Sequence, residues 1–213
     1  HLSLRRQRQM CIRDRANVNL MPRWGARVLF ESETKIKKTS SNPGLASLTL
    51  RKKLTNRLKK RGIVDETVLN AISLVERHQF VDSALASMAY EDLALPIGFK
   101  QTISQPFVVA RTISIVRELL SKNRSEDELA KLNILEVGCG SGYQAAVLSE
   151  CFGKVTSVER IHPLYEKALK NCEEYILKQK LKLHFYDGKS GFNEGAPYDA
   201  IFFSASLELS LIH

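Results

Sequence analysis

The spacing of hydrophobic residues in the first half of the chain predicts amphipathic helices. Leucines at positions 50, 54 and 58 recur every four residues among basic residues, which favours a helix ending near Gly62. Asp65 is a typical N-cap for a second helix, whose apolar side is formed by Val68, Leu69, Ile72 and Val75. A third helix is expected from Pro106, a residue suited to the first helical turn, to about Leu120.

Two stretches around the third helix carry loop signals. Pro96 and Gly98 punctuate residues 90–101, which we interpret as a loop. Residues 121–127 are mostly polar and predict a simple connection.

From residue 132 the pattern changes to short apolar runs that alternate with helical segments. The predicted strands are residues 132–137, 154–159, 181–186 and 199–204, and the predicted helices are residues 143–151 and 163–178. Such alternation is typical of βαβ units, so we predict an α/β fold with a mostly parallel sheet flanked by helices. Right-handed crossovers place the carboxyl ends of the strands at one edge, where such sheets bind ligands.

The charge of the chain is unevenly distributed, although its 44% hydrophobic and 26% charged residues are ordinary for a globular domain. The net charge is +9, but residues 1–61 carry +14 and residues 62–213 carry −5. A basic arm can contact nucleic acid or an anionic surface. We favour a solvated helix face and a leader instead, because no aromatic residues interleave with the basic clusters at 51–53 and 59–61.

The four cysteines, at positions 11, 139, 151 and 172, show no CxxC spacing. We therefore expect neither a metal site nor a disulfide framework, and a cytoplasmic location. No apolar run reaches the eighteen residues of a membrane span, so we expect no membrane partner.

Both ends of the chain differ in character from the rest. We expect residues 1–15 and 207–213 to be non-native sequence, and residues 16–50 to be a leader of uncertain structure. The predicted catalytic domain comprises residues 51–206.

A glycine-rich turn carries the first chemical signal. A predicted strand with Glu136 near its end leads into Gly138-x-Gly140-x-Gly142 and then a helix, so the backbone can turn tightly beside free N–H groups. Glu159 ends the next strand, where a carboxylate can accept ribose hydroxyls, and Asp187-Gly188 ends the third. Glu159 alone could equally be a surface carboxylate. Together the three strand ends predict a ligand with a nucleoside and an amino-acid part, namely S-adenosylmethionine.

Several further segments resemble one family. They are Ala94-Leu95-Pro96-Ile97-Gly98, Gln101-Thr102-Ile103-Ser104-Gln105-Pro106, residues 136–144 around the glycine turn, Ser157-Val158-Glu159-Arg160-Ile161, Asp187-Gly188 and Ala196-Pro197-Tyr198-Asp199-Ala200-Ile201. Between about residues 62 and 206 the chain resembles bacterial protein-L-isoaspartate O-methyltransferases. The glycine turn is shared with methyltransferases generally, whereas the Thr-Ile-Ser-Gln-Pro segment is far more specific.

The resemblance implies a Rossmann-like S-adenosylmethionine-dependent methyltransferase fold and a role for each matching residue. Ser104 would be the active-site serine, on a loop with Gln101, Thr102 and Ile103 that closes over cofactor and substrate. The residues expected around the methionine part of the cofactor are Glu136, Gly138, Cys139, Gly140 and Ser141. Those expected beside the ribose and adenine are Glu159, Arg160, Asp187 and Gly188.

The implied reaction is protein repair. A methyl group passes from S-adenosylmethionine to the free α-carboxylate of an L-isoaspartyl residue, leaving S-adenosylhomocysteine. Since that carboxylate is ionised at neutral pH, no strong general base is needed, and Ser104 would orient it. Ser104 could also serve as a helix cap ahead of Pro106. The expected partners are isoaspartyl proteins and peptides, not nucleic acid, and the protein is expected to be monomeric.

Two departures from the family pattern shape the expectations. Cys139 stands where the family usually has Thr or Ser, and the last strands of the sheet are missing after Ser206. We therefore expect the 213-residue chain alone to be poorly soluble or inactive. The alternatives are an S-adenosylmethionine methyltransferase of another substrate class and a non-catalytic fragment.

Overall fold

The computed structural model describes residues 48–205, all of which belong to one structural unit. The predicted non-native ends and residues 16–47 of the predicted leader lie outside the described residues. Residues 48–50, the last of that leader, are already helical.

The chain begins, within the described part, with two helices. Helix α1 (Leu48–Lys60) buries Leu54 and Leu58, and α2 (Glu66–Leu74) follows. The Asp65 carboxylate accepts a hydrogen bond of 3.1 Å from the Val68 N–H, so the predicted N-cap is confirmed.

Residues 90–101 do not form the predicted loop throughout. After two 3₁₀ turns, Arg77–Phe80 and Ser83–Met88, strands β1 (Leu95–Gly98) and β2 (Gln101–Ile103) pair as an antiparallel hairpin. The loop prediction for residues 90–101 is therefore wrong. Pro96 and Gly98 are exposed, and they do not prevent pairing because each strand of a two-stranded hairpin has an unpaired edge, where proline is tolerated. Phe99 and Lys100 close the hairpin with positive φ angles of 52° and 57°.

Helix α3 (Pro106–Ser121) has nearly the predicted bounds, but the connection after it is not simply polar. It contains a short helix, α4 (Glu126–Leu129), which begins with a capping box. Ser125 accepts from the Glu128 N–H, while the Glu128 carboxylate accepts from the Ser125 N–H. These two hydrogen bonds stabilise a helical turn in a segment whose polar composition indicates a loop.

The second half of the described chain is a parallel sheet with strand order β5-β4-β3-β6. Its elements in chain order are β3 (Asn133–Val137), α5 (Tyr143–Cys151), β4 (Lys154–Glu159), α6 (His162–Asn171), α7 (Glu173–Leu177), β5 (Leu181–Phe185) and β6 (Ala200–Phe203). The predicted parallel α/β sheet is thus confirmed. The predicted helix 163–178 is wrong as one element, because Cys172 leaves the α-helical region (φ −99°, ψ 9°) and separates α6 from α7.

The core lies between this sheet and the helices that cover it. Strand β3 is buried from Ile134 to Val137, as expected for a parallel strand with a helical layer on each face. Phe80 packs edge-on against Tyr143 with ring centroids 5.6 Å apart, which joins the N-terminal elements to α5. Within residues 48–205, no helix combines the length and apolar character needed to cross a bilayer.

Candidate active site

A cavity of about 720 Å³ opens at the carboxyl ends of β3, β4 and β5, beside the hairpin. All the predicted site residues line it: Gln101, Thr102, Ile103, Ser104, Glu136, Gly138, Cys139, Gly140, Ser141, Glu159, Arg160, Asp187 and Gly188. Sequence reasoning did not assign other residues of its wall, among them Ile97, Tyr143, Gln144, Tyr186, Lys189 and Ser204. A volume of this size is typical of sites for small organic ligands.

The glycine turn forms the floor of the cavity and needs glycine for steric reasons. Gly142 caps α5 with a φ of +94°, and a Cβ added there would lie 2.5 Å from the Cys172 Sγ. Cys172 is the residue that separates α6 from α7, so the break between those helices and the glycine turn pack against each other.

The Glu159 carboxylate fixes the turn to the end of β4. Its Oε2 accepts from the Gly140 N–H and its Oε1 from the Ile161 N–H, both at 2.9 Å. Glu159 is only 5% exposed. A carboxylate can accept about four hydrogen bonds, so two acceptor positions remain for a ligand. Glu159 is therefore a buried structural acceptor as well as a candidate ligand contact, not a surface carboxylate.

Glu136 is the most perturbed acid of the cavity. Its carboxylate is fully buried and accepts from the Ser157 hydroxyl at 2.6 Å and from the Ser204 hydroxyl at 3.0 Å. Burial raises the pKa of Glu136 to about 7, although the two serine hydrogen bonds oppose that shift. Near neutral pH this side chain therefore changes between a neutral acid and an anion.

Ser204 and Gln144 extend that hydrogen-bonded group, and sequence reasoning missed both. The Gln144 Nε2 donates to the Ser204 Oγ at 2.8 Å. A positional signal existed for Ser204, because it directly follows β6, which pairs with β3 on the side opposite β4. Ligands bind where the strand order of an open sheet changes direction in this way.

Ser141 and Cys139 differ in what they offer a ligand. The Ser141 Oγ is buried and has no hydrogen-bond partner among the described residues, so it is available to a bound molecule. Burial raises the pKa of the Cys139 thiol well above its usual range, with the neighbouring Glu136 adding to the shift. The thiol is therefore protonated at neutral pH and resembles a hydroxyl in charge.

Arg160, Asp187 and Gly188 form the outer part of the cavity wall. Arg160 and Asp187 are exposed, and the Asp187 carboxylate accepts from the Lys189 N–H at 3.1 Å. Gly188 is buried, and a Cβ there would lie 2.5 Å from a methyl group of Val137. The loop after β5 thus closes directly onto the end of β3.

Ser104 lies between β2 and α3 and is partly exposed in the cavity. Its hydroxyl has no hydrogen-bond partner among residues 48–205. The alternative role of Ser104 as a helix cap is wrong, because Gln105 is the N-cap residue of α3. A side chain from elsewhere, the Asp92 carboxylate, accepts from the Phe107 N–H of the first turn at 2.9 Å. Ser104 is therefore left for a ligand.

Among the described residues, no group of three or more His, Cys, Asp or Glu side chains is placed to hold a metal ion. The polar groups of the cavity are carboxylates, hydroxyls, the Gln101 and Gln144 amides, the cationic groups of Arg160 and Lys189, and the backbone N–H groups of the turn. Such a set can hold a ligand that has hydroxyls, an ammonium group and an adenine-like ring edge.

Comparisons with known proteins agree on one family. The family model Protein-L-isoaspartate(D-aspartate) O-methyltransferase (PCMT) matches residues 49–209. A protein-L-isoaspartate O-methyltransferase of Bordetella avium (strain 197N) is 48% identical over 168 residues, which cover 79% of this chain and 60% of that protein. One from Aromatoleum aromaticum (strain DSM 19018 / LMG 30748 / EbN1) is 46% identical over 165 residues, covering 78% of this chain and 71% of that protein.

A solved structure of a protein-L-isoaspartate O-methyltransferase superposes with a TM-score of 0.60 and 32% identity, over 73% of this chain and 48% of that chain. This likeness confirms the predicted Rossmann-like methyltransferase fold. The chain spans about 60% of the length of the curated Bordetella relatives that it matches.

Proposed function

The chain belongs to the protein-L-isoaspartate O-methyltransferase family, and from that membership we propose that it methylates the free α-carboxylate of L-isoaspartyl residues in damaged proteins. The proposal rests on the proximity of two groups of residues in the structure. One cavity joins the Ser104 loop, which distinguishes the family, to the glycine turn and the acidic strand ends that suit the methyl donor.

The residues of the cavity fit S-adenosylmethionine. Glu136 and the unpartnered Ser141 hydroxyl lie where the methionine part would be held, since both line the cavity beside the glycine turn. Glu159 retains free acceptor positions for the ribose hydroxyls. Tyr186 and the Asp187-Gly188 loop would border the adenine. S-adenosylmethionine supplies, when bound, a methyl group on a sulfonium sulfur and leaves as S-adenosylhomocysteine.

The chain's own residues then need only to position the acceptor. An isoaspartyl α-carboxylate is ionised at neutral pH and is already a nucleophile. The unpartnered Ser104 hydroxyl can donate a hydrogen bond to one of its oxygens and leave the other directed at the methyl group. Ile97 and Val109 line the same cavity and limit the access of water beside this point.

The wider setting forms part of the same proposal. We expect a cytoplasmic, monomeric enzyme whose partners are isoaspartyl proteins and peptides rather than nucleic acid. The three cysteines of the described region, Cys139, Cys151 and Cys172, are free and buried, which suits a reducing compartment.

A methyl-transfer assay tests the proposal. Two peptides of identical sequence, one with isoaspartate and one with aspartate, are incubated with the chain and radiolabelled S-adenosylmethionine. Label in the isoaspartyl peptide alone supports the proposal and would overturn the expectation that the 213-residue chain is inactive. Equal labelling of both peptides would reject the substrate, and labelling of a nucleic acid or small molecule instead would favour another methyltransferase class.

The variant Ser104→Ala tests whether the serine hydroxyl positions the acceptor carboxylate. Because a hydrogen bond to a charged group contributes about 1.5–3 kcal/mol, kcat should fall about 10- to 100-fold with little change in cofactor affinity. Ser121→Ala removes a hydroxyl at the other end of α3, where it binds only the Glu118 carbonyl, and should leave kcat unchanged. Equal losses in kcat and cofactor affinity for Ser104→Ala would argue against a positioning role.

A further inference from the structure

Residues 90–93, which lead into β1, are held by arginines from two other elements. Arg57 of α1 donates to the Tyr90 carbonyl and pairs with the Glu91 carboxylate. Arg77 is fully buried and donates to the Leu93 carbonyl at 3.0 Å. The backbone on both sides of Asp92 is therefore fixed.

Asp92 joins this segment to the start of α3. One carboxylate oxygen, Oδ1, accepts from the Phe107 N–H at 2.9 Å, and the other pairs with Arg61 at the C-terminal end of α1. The Asp92 carbonyl accepts from the Gln105 Nε2 at 2.8 Å. The Asp92 side chain is only 15% exposed. Two of the three residues that follow Ser104 are thus bound to this one residue.

Helix α3 lacks a local cap. Gln105 occupies the N-cap position but makes no side-chain hydrogen bond to the first turn. The first N–H groups of a helix need acceptors, and a carboxylate is favoured there by the helix dipole. Asp92, fifteen residues earlier in the chain, supplies that acceptor. The Arg61 guanidinium lies 3.6 Å from the centre of the Phe107 ring, which holds the same turn from the other side.

We propose that Asp92 is a positioning residue for Ser104, and that Arg61 holds Asp92 in place. Asp92 fixes the residues directly after Ser104 through Gln105 and Phe107, so the serine hydroxyl stays aligned with the acceptor carboxylate. The effect on catalysis rests on the proposed function. The claim that Asp92 orders the start of α3 is structural and does not rest on the proposed function.

The test uses the full chain and three variants. Asp92→Ala removes the cap, Arg61→Gln releases the second carboxylate oxygen, and Glu91→Gln is the matched control. Glu91 lies beside Asp92 and pairs with Arg57 of α1, but among the described residues its carboxylate makes no hydrogen bond or ion pair with α3. Hydrogen–deuterium exchange is measured for peptides covering residues 101–109. The kcat and the KM for S-adenosylmethionine are measured with an isoaspartyl peptide as the methyl acceptor.

Asp92→Ala should speed exchange in residues 104–109 and lower kcat about tenfold, while KM for S-adenosylmethionine changes less than about twofold. Arg61→Gln should shift both readouts in the same direction by a smaller amount, about two- to threefold in kcat. Glu91→Gln should resemble the wild type.

Wild-type exchange and kcat in both Asp92→Ala and Arg61→Gln would overturn the proposal. So would an equal fall in kcat for Glu91→Gln, since the effect would then belong to the whole segment. If Asp92→Ala does not fold, the hydrogen–deuterium exchange and the kcat of Arg61→Gln decide whether the proposal holds. If the wild type transfers no methyl group to an isoaspartyl peptide, the proposed function fails, and the exchange of residues 104–109 still decides whether Asp92 orders the loop.

Discussion

Glu136 offers a test of the cavity's electrostatics that does not require turnover. Replacing it with glutamine keeps the shape of the side chain and removes the ionisation. One of the two serine hydroxyls can still donate to the amide oxygen, whereas the other must rotate to accept from the amide N–H. Because Glu136 is fully buried, the anion is costly in the ligand-free protein. Glu136→Gln should therefore stabilise the ligand-free protein, and the gain should depend on pH.

The magnitude follows from the pKa of about 7 in the folded protein against an ordinary value of 4.5. Between these values the folded state binds a proton that the unfolded state has released, so stability falls as the pH rises through this window. At about 1.4 kcal/mol per pKa unit, the loss is about 3 kcal/mol above pH 7 and under about 1 kcal/mol at pH 5.

The assay is thermal unfolding of wild type and Glu136→Gln at pH 5 and pH 8, without ligand. For a domain of this size, about 3 kcal/mol corresponds to a gain of about 6–12 °C at pH 8, with a much smaller gain at pH 5. Glu118→Gln, which removes an exposed carboxylate from α3, controls for the loss of one charge. An equal gain for Glu136→Gln at both pH values would refute the reasoning, because a packing effect has no such pH dependence.

The same titration should appear in cofactor binding. If the ionised Glu136 holds the cationic methionine part, wild-type affinity for S-adenosylmethionine should fall about tenfold from pH 8 to pH 6. Glu136→Gln should bind more weakly at pH 8 and lose this pH dependence in calorimetric titration. Full wild-type affinity in Glu136→Gln would remove this residue from the methionine site.

Three further predictions concern the turn and its surroundings. Gly142→Ala should destabilise the protein by about 2–4 kcal/mol in chemical denaturation, because the added Cβ is strained and meets the Cys172 Sγ; a loss below about 0.5 kcal/mol would contradict the clash. Glu159→Gln should weaken S-adenosylmethionine binding about 10- to 100-fold by calorimetry, since an amide cannot accept from both N–H groups as a carboxylate does; unchanged affinity would exclude the ribose contact. The peptides containing Cys139 and Cys151 should resist iodoacetamide at pH 7.5 by mass spectrometry and react in urea, because burial keeps both thiols protonated, raising the pKa of Cys151 to about 12; rapid native labelling would contradict this.

Local patterns were sufficient for the central part of the fold. The glycine turn, α5 and β4 have the predicted bounds, because a buried parallel strand, a tight turn and a helix each leave a signal within a few neighbouring residues. The hairpin is hard to predict because Pro96 and Gly98 are typical strand breakers, although the alternation of buried Leu95 and Ile97 with exposed neighbours is a strand pattern. The break at Cys172 has no sequence signal, because neither glycine nor proline lies beside it.

The candidate site divides in the same way. The placement of the glycine turn and the strand ends around one cavity could be predicted, because chain topology alone brings strand ends together. The side chains that form hydrogen bonds to these residues from distant parts of the chain could not be predicted. Ser204 reaches Glu136 across 68 residues of chain, and Asp92 reaches Phe107 across fifteen. Such contacts exist only once separate elements have packed, so no spacing within the sequence predicts them.

The strand order has a consequence for synthesis on the ribosome. Strand β6 is the last strand of the described sheet to be made, yet it pairs directly with β3, near the middle of the chain. A nascent chain emerges from its N-terminus. It can therefore present the hairpin, the glycine turn and Glu159 while Ser204 is still inside the exit tunnel. In that interval Glu136 has only the Ser157 hydroxyl, and the cavity lacks one wall. The cavity is therefore completed only after β6 has left the ribosome, which delays stabilisation by the proposed cofactor until the sheet can close around Glu136.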